Sequence, residues 1–130
     1  MSDDIRKWEK HASRVVSDHR IFKIREDHTT NPRTGSEHEM VVLECPDWVN
    51  IIALTPEREV VFVEQYRQGS ETVELEIPGG MMDPGETDPV ATALRELREE
   101  TGYTGENARL IVACFANPAI MNNRVHTILV

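Results

Sequence analysis

The 130-residue sequence predicts an α+β or mixed α/β protein in which a β-sheet accompanies one strongly specified helix. Two observations support this class, and a third bears on the number of domains. Several short stretches alternate polar and apolar residues or form short apolar runs, as strands do. One segment carries both the start and the stop signals of a helix. The length suits one domain with its own core, so we expect residues 1–130 to form a single domain.

The predicted strands follow from the hydrophobic pattern and from the turn residues between them. They span residues 20–26, 39–45, 49–54, 60–65, 72–77, 109–116 and 124–130. Residues 28–36 are rich in turn formers, and Thr55-Pro56-Glu57-Arg58 predicts a hairpin turn. Residues 1–19 are charged and only weakly periodic, so we expect an N-terminal arm there.

The helix has clear boundaries in the sequence. Asp88 is a suitable N-cap, and Pro89 follows at the first helical position, where its missing N–H costs nothing. Gly102 supplies the left-handed stop. The expected buried stripe consists of Val90, Leu94, Leu97 and Thr101.

The charge balance and the apolar runs exclude some classes of protein. There are 14 Lys and Arg against 23 Asp and Glu, a net charge of −9, which argues against nucleic-acid binding. The longest apolar runs, Ile51–Leu54 and Val60–Val63, are far below the about 20 residues of a membrane span. Without a signal peptide or a disulfide framework, a cytoplasmic protein with no membrane association is expected, and we expect Cys45 and Cys114 to be buried.

The helix carries acidic residues where a stable helix would avoid them. Glu96 and Glu100 are four residues apart and share a face, and Glu99 flanks it. Like charges at this spacing repel, and the C-terminal end of the helix dipole disfavours anions. A divalent cation would remove both penalties, and such oxygen-rich clusters suit Mg²⁺ or Mn²⁺. The alternative is a solvated helix face, in which Arg95 pairs with a neighbouring carboxylate.

The preceding loop favours the cation. Gly79 and Gly80 let the backbone approach a ligand and offer a free carbonyl, and Glu86 adds a carboxylate. With the helix, this segment resembles the signature of the Nudix hydrolases: Gly, five residues, Glu, seven residues, then Arg-Glu-aliphatic-x-Glu-Glu-x-Gly-aliphatic. Gly80 begins the match, Glu86 follows five residues later, and residues 95–102 complete it.

Two positions depart from the signature. Eight residues, not seven, separate Glu86 from Arg95, and Tyr103 occupies the last aliphatic position. The extra residue can be placed at Thr87 or Asp88, where it lengthens the loop without changing the phase of the helix.

Upstream residues resemble one branch of that family. Residues 47–55, 61–68 and 74–80 are similar to ADP-ribose pyrophosphatases and nucleoside diphosphate sugar hydrolases, and the likeness covers roughly residues 20–130. The resemblance implies an α/β/α sandwich with a mixed β-sheet, a divalent metal and a homodimer. It also implies hydrolysis of ADP-ribose or a nucleoside diphosphate sugar to a nucleoside monophosphate and a sugar phosphate.

The resemblance also implies roles for individual residues. The catalytic set is Arg95, Glu96, Glu99 and Glu100, with the metal held by Gly79 or Gly80 through a carbonyl and by Glu96, Glu99 and Glu100. Arg67 would bind the substrate phosphates, unless it forms a salt bridge with Glu64 or Glu71. Glu76 would contact the ribose or a metal-bound water, unless it is a plain charge at the sheet edge.

Some assignments stay open at this point. Trp8, Trp48, Phe22 and Met40 are candidates for base stacking, with packing as the alternative for Trp48, and residues 117–124 resemble a substrate loop. Members of this branch usually carry a further glutamate on a loop after the strand at 124–130, so we expect further elements beyond Val130. The alternatives to an enzyme are a non-catalytic Nudix-like module that binds nucleotide sugars and a structural dimerisation domain.

Overall fold

The computed structural model describes residues 5–130, whose contacts form two compact units. The first comprises the described residues up to Cys45 together with Asn117–Asn122, and the second comprises Pro46–Ala116 and Asn123–Val130. The first four residues of the predicted arm lie outside the described residues. A single domain over residues 1–130 stays a prediction.

The first unit contains a three-stranded antiparallel sheet. Its strands are β1 (Glu9–Asp18), β2 (Lys23–Thr30) and β3 (Glu37–Glu44), in the order β1-β2-β3. The N-terminal arm predicted over residues 1–19 thus contains a β-strand that its weak periodicity did not indicate. This edge strand exposes nearly all its side chains, so its sequence lacks the polar and apolar alternation that predicts a half-buried strand. β2 starts later than predicted because the chain turns at His19–Phe22, and it continues to Thr30.

The second unit is built on a four-stranded mixed sheet. Its strands are β4 (Trp48–Ile52), β7 (Gly79–Met81), β8 (Arg109–Phe115) and β9 (Arg124–Leu129), in the order β7-β4-β9-β8. The pair β4–β9 is parallel, and β4–β7 and β8–β9 are antiparallel. With the helix α1 (Pro89–Thr101), this sheet confirms the predicted α/β class. Within residues 5–130, α1 is the one α-helix.

The strands β5 (Val63–Arg67) and β6 (Thr72–Glu76) pair antiparallel and form a separate hairpin. The first of these strands begins three residues later than predicted. Val60 instead forms an isolated bridge with Leu54 across the turn at Thr55–Glu59, which confirms the hairpin turn. β7 was not predicted, since a strand that begins with two glycines has no hydrophobic pattern.

The helix boundaries agree with the prediction. The Asp88 carboxylate accepts a hydrogen bond from the Val90 N–H at 2.9 Å, and Gly102 adopts a left-handed φ of 76°. The buried stripe is centred differently, because Thr92 and Ala93 are buried with Leu97 and the other predicted members are only half-buried. The core that α1 shares with the sheet consists of Val49, Ile51, Ala53, Ala93, Leu97 and Ile128.

Two further features bear on the predictions about the cysteines and about membrane association. Cys114 is exposed, so the expectation that it is buried was wrong, whereas Cys45 is half-buried. No helix within residues 5–130 has the length and apolar character needed to cross a membrane.

Candidate active site

Four carboxylates form what is here called the acidic cluster, and one arginine binds three of them. The four belong to Glu86 in the loop before α1 and to Glu96, Glu99 and Glu100 in the C-terminal half of α1. The Arg95 guanidinium donates from Nη1 to Glu96 Oε1 at 2.8 Å and to Glu99 Oε2 at 3.1 Å. It also binds Glu86 in bidentate fashion, from Nε at 3.0 Å and from Nη2 at 3.1 Å. The planar guanidinium matches carboxylate pairs, so one cation offsets the repulsion among three anions.

The extra residue before α1 does not separate Glu86 from Arg95. The loop closes on itself, because the Asp83 N–H donates to Glu86 Oε2 at 2.7 Å. The bonds from Arg95 and from this N–H lower the pKa of Glu86 from 4.5 to about 2. Glu86 is therefore ionised at neutral pH and bound to Arg95 of the helix. Its position relative to a metal stays a prediction.

Glu96 has a different environment from the other acids. Its side chain is 14% exposed, against 57% for Glu99. Burial raises the pKa of Glu96, although the charge of Arg95 opposes that rise. A Cβ built on Gly80 would collide with the Glu96 carboxylate, so the glycine backbone lies directly against this side chain.

Glu100 is held by neutral donors at both oxygens. The Gly79 N–H donates to Oε2 at 3.1 Å, and the Gln65 side-chain amide donates from Nε2 to Oε1 at 3.0 Å. Sequence reasoning missed Gln65. The available signal was its place two residues before Arg67, since alternate residues of a strand share a face.

The donors in this cluster fit a hard divalent cation in kind. Glu96, Glu99 and Glu100 offer only oxygen ligands, and the lack of a Cβ at Gly80 lets the backbone of β7 lie against the Glu96 carboxylate. In the part of the chain that the structure describes, no three acidic, His or Cys side chains already converge on one point at metal-binding distance. The carboxylates are instead engaged by Arg95, Gln65 and Gly79.

The two predicted substrate residues bind each other. Arg67 donates from Nε to Glu76 Oε1 at 2.8 Å and from Nη2 to Oε2 at 2.5 Å. Arg67 is thus in a salt bridge, but the partners considered for it, Glu64 and Glu71, were wrong. The hydrogen bonds from Arg67 lower the pKa of Glu76, and those bonds, with a smaller attraction from Glu100, raise the pKa of Arg67.

The aromatic and loop candidates are distributed over both units. Trp8 lies 5.4 Å from the His38 ring, Phe22 stacks on His19, and Met40 is exposed on β3, all within the first unit. Trp48 is half-buried at the start of β4. In the predicted substrate loop, the Ile120 carbonyl accepts a hydrogen bond from the Leu43 N–H at 2.7 Å. A stacking or substrate role for these residues stays a prediction.

Comparison with known proteins identifies residues 46–129 as a match to the NUDIX domain. The chain belongs to this family. The Nudix domain contains every residue of the acidic cluster, of the glycine strand β7 and of the β5–β6 hairpin.

Several relatives match the Nudix domain and the residues before it. The chain is 37% identical over 107 residues to the methanol dehydrogenase activator of Bacillus methanolicus, covering 82% of this chain and 57% of that protein. It is 37% identical over 95 residues to the ADP-ribose pyrophosphatase of Bacillus subtilis (strain 168), covering 73% and 51%. The chain thus spans about half the length of the curated relatives it matches.

A solved structure supports the fold. A crystal structure of an ADP compounds hydrolase superposes with a TM-score of 0.84 at 21% identity, covering 98% of this chain and 69% of that one. At this identity the likeness shows a shared fold alone.

Proposed function

We propose that this Nudix domain is the catalytic part of a pyrophosphohydrolase that cleaves ADP-ribose or a nucleoside diphosphate sugar. The observation that carries the proposal is the set of four carboxylates gathered by Arg95, Gln65 and the glycine strand at one end of α1. A structural role alone does not explain why three of these carboxylates lie near the C-terminal end of α1, where the helix dipole disfavours anions. The names of the Bacillus subtilis, mouse and yeast relatives, two ADP-ribose pyrophosphatases and an ADP-sugar pyrophosphatase, support this substrate class.

Glu96, Glu99 and Glu100 are the proposed ligands of Mg²⁺ or Mn²⁺, with a carbonyl of Gly79 or Gly80 completing the set. When bound, such a cation neutralises phosphate charge and lowers the pKa of water. Arg95 keeps Glu96 and Glu99 in place through its hydrogen bonds. In the hydrolysis, water oxygen bonds to one phosphorus while the bridging P–O bond breaks. The leaving phosphate keeps the bridging oxygen, and the water protons pass to the products and solvent.

Arg67 and Glu76 are the proposed substrate residues. Arg67 is half exposed, and its two bonds to Glu76 use the same two-pronged geometry that a phosphate requires. An incoming pyrophosphate would accept the hydrogen bonds that Arg67 now donates to Glu76. The Glu76 carboxylate would then be free to accept hydrogen bonds from the ribose hydroxyls. A homodimer, which the family resemblance implies, also remains a proposal, as does a cytoplasmic location.

A second candidate is a regulatory module that binds a nucleotide sugar. One relative that is 37% identical carries the name methanol dehydrogenase activator, which describes an effect on another enzyme. Such a module would bind the nucleotide ligand without turning it over.

The test is a substrate panel run on the full chain. ADP-ribose, ADP-glucose, UDP-glucose and GDP-mannose are incubated with Mg²⁺ or Mn²⁺, and nucleoside monophosphate is quantified by chromatography. We expect metal-dependent release, and a loss of more than about 100-fold in Glu100→Gln, because a lost ligand costs more than a lost outer partner. Glu57→Gln, in the exposed turn before β5, is the matched control.

The outcomes separate the two candidates. Equal turnover by the wild type and Glu100→Gln would refute the assigned metal site. Tight binding of a nucleotide sugar in calorimetry, with no product over hours, would favour the regulatory module.

A further inference from the structure

Gln65 connects the β5–β6 hairpin to the acidic end of α1. It lies in β5, it is half-buried, and its Nε2 donates to Glu100 Oε1 at 3.0 Å. The other oxygen of Glu100 accepts the Gly79 N–H at 3.1 Å. We propose that Gln65 is a positioning residue that fixes the carboxylate of Glu100 for cation binding. This inference rests on the proposed function.

The chemistry of the two holding groups supports this role. Arg95 brings a positive charge to Glu86, Glu96 and Glu99, which weakens their attraction for a cation. Gln65 and Gly79 are neutral, so Glu100 is restrained without being neutralised. A carboxylate oxygen accepts more than one hydrogen bond, so Oε1 has capacity for a metal while the Gln65 amide stays bound. Such outer partners orient the ligand and are worth 10–100-fold in metal affinity.

The placement of Gln65 follows from the hairpin. Alternate residues of a strand share a face, so Gln65 and Arg67 project from the same side of β5. Arg67 binds Glu76 on the neighbouring β6, and Gln65 reaches α1. One face of this hairpin therefore carries both the proposed phosphate-binding arginine and the group that orients a proposed metal ligand.

The test compares metal binding by Gln65→Leu with that by the wild type. Leucine has a similar volume and lacks the donor. Gln68→Leu, one residue after β5 and exposed, is the matched control. Free Mn²⁺ is measured by electron paramagnetic resonance, and kcat and KM for ADP-ribose are measured at several Mn²⁺ concentrations. We expect Gln65→Leu to bind Mn²⁺ about 10-fold more weakly. Added Mn²⁺ should restore kcat in part, with the KM for ADP-ribose little changed.

A second variant and a second readout keep the inference falsifiable. Gln65→Asn retains the amide but is one methylene shorter, so it should lose Mn²⁺ affinity as well, and it replaces Gln65→Leu if that variant does not fold. In nuclear magnetic resonance spectra of the metal-free protein, the side-chain NH₂ signals of Gln65 should shift in Glu100→Gln. Signals that do not move would show that this hydrogen bond is absent, and would overturn the inference.

The outcomes also distinguish the inference from the proposed function. If the wild type binds Mn²⁺ and hydrolyses ADP-ribose while Gln65→Leu matches it in Mn²⁺ affinity, the inference is overturned and the function stands. If the wild type neither binds Mn²⁺ nor releases product, both are overturned.

Discussion

The two glycines at the start of β7 allow a sharp test of where the acidic cluster lies. Gly80→Ala places a Cβ about 2.6 and 2.7 Å from the two oxygens of Glu96, where ordinary contacts begin near 3.4 Å. The carbon of that carboxylate lies nearer still, so the group must move by more than about 0.8 Å, the shift that the nearer oxygen alone requires, since 3.4 − 2.6 = 0.8. A displacement of about 1 Å in a reacting constellation can cost about 100-fold in rate, so we expect kcat to fall 10- to 100-fold.

The stability cost of the same change should be small. The atoms that collide lie at the end of a flexible side chain, and an off-rotamer Glu96 costs about 1 kcal/mol. Gly79→Ala provides the contrast, because its Cβ would meet the Val49 carbonyl oxygen in the backbone of β4. A paired central strand cannot yield cheaply, so Gly79→Ala should lose about 1–3 kcal/mol of unfolding free energy.

The assay measures both quantities on each variant. Urea unfolding followed by circular dichroism gives the free energy, and ADP-ribose turnover with Mn²⁺ gives kcat. The reasoning is refuted if Gly80→Ala retains wild-type kcat, or if it destabilises the protein as much as Gly79→Ala does.

Two further predictions concern the core and the ion pairs. Leu97 is 1% exposed, so Leu97→Ala should lower the unfolding free energy in urea by about 2–5 kcal/mol, whereas Leu110→Ala, at a side chain 45% exposed, should cost little. A loss below about 1 kcal/mol in Leu97→Ala would contradict the assigned core. Arg95 holds the pKa of Glu86 at about 2, below its unfolded value of 4.5, so this pair stabilises the fold above pH 4.5 and loses that effect as the pH falls through 2. In Arg95→Gln, stability should vary less between pH 4.5 and 2, and the pKa of the Glu86 carboxyl should rise in a nuclear magnetic resonance titration, while the remaining bond from the Asp83 N–H keeps it below its ordinary value. An unchanged titration would exclude Arg95 as the main cause.

Much of the second unit was predictable because its signals are local. The Asp88 cap, the Gly102 stop and the acids of α1 depend on neighbours within a few positions, and the structure has them as the sequence indicates. β7 was missed because glycines have no hydrophobic pattern, and a three-residue strand exists only through its pairing with β4. β1 was missed because both of its faces are largely exposed.

Contacts between distant positions could not be predicted in the same way. Gln65 and Glu100 are 35 positions apart, and only the fold brings the amide to the carboxylate. The pairing of Arg67 with Glu76 illustrates the same limit. Both residues were singled out, but alternation cannot show which partner a long side chain reaches, and two nearer glutamates were considered instead.

The glycine strand β7 and the acidic helix α1 are anchored separately, and this affects how related sequences are recognised. β4 fixes the glycine strand, with Val49 opposite Gly80, and the capped start of α1 fixes the acids. The intervening segment, residues 82–87, can therefore gain a residue without a change at either anchor. A related chain with more or fewer than the seven residues that the signature places between its glutamate and its arginine can therefore be expected to have the same chemistry, provided that it keeps the strand pairing and the helix cap.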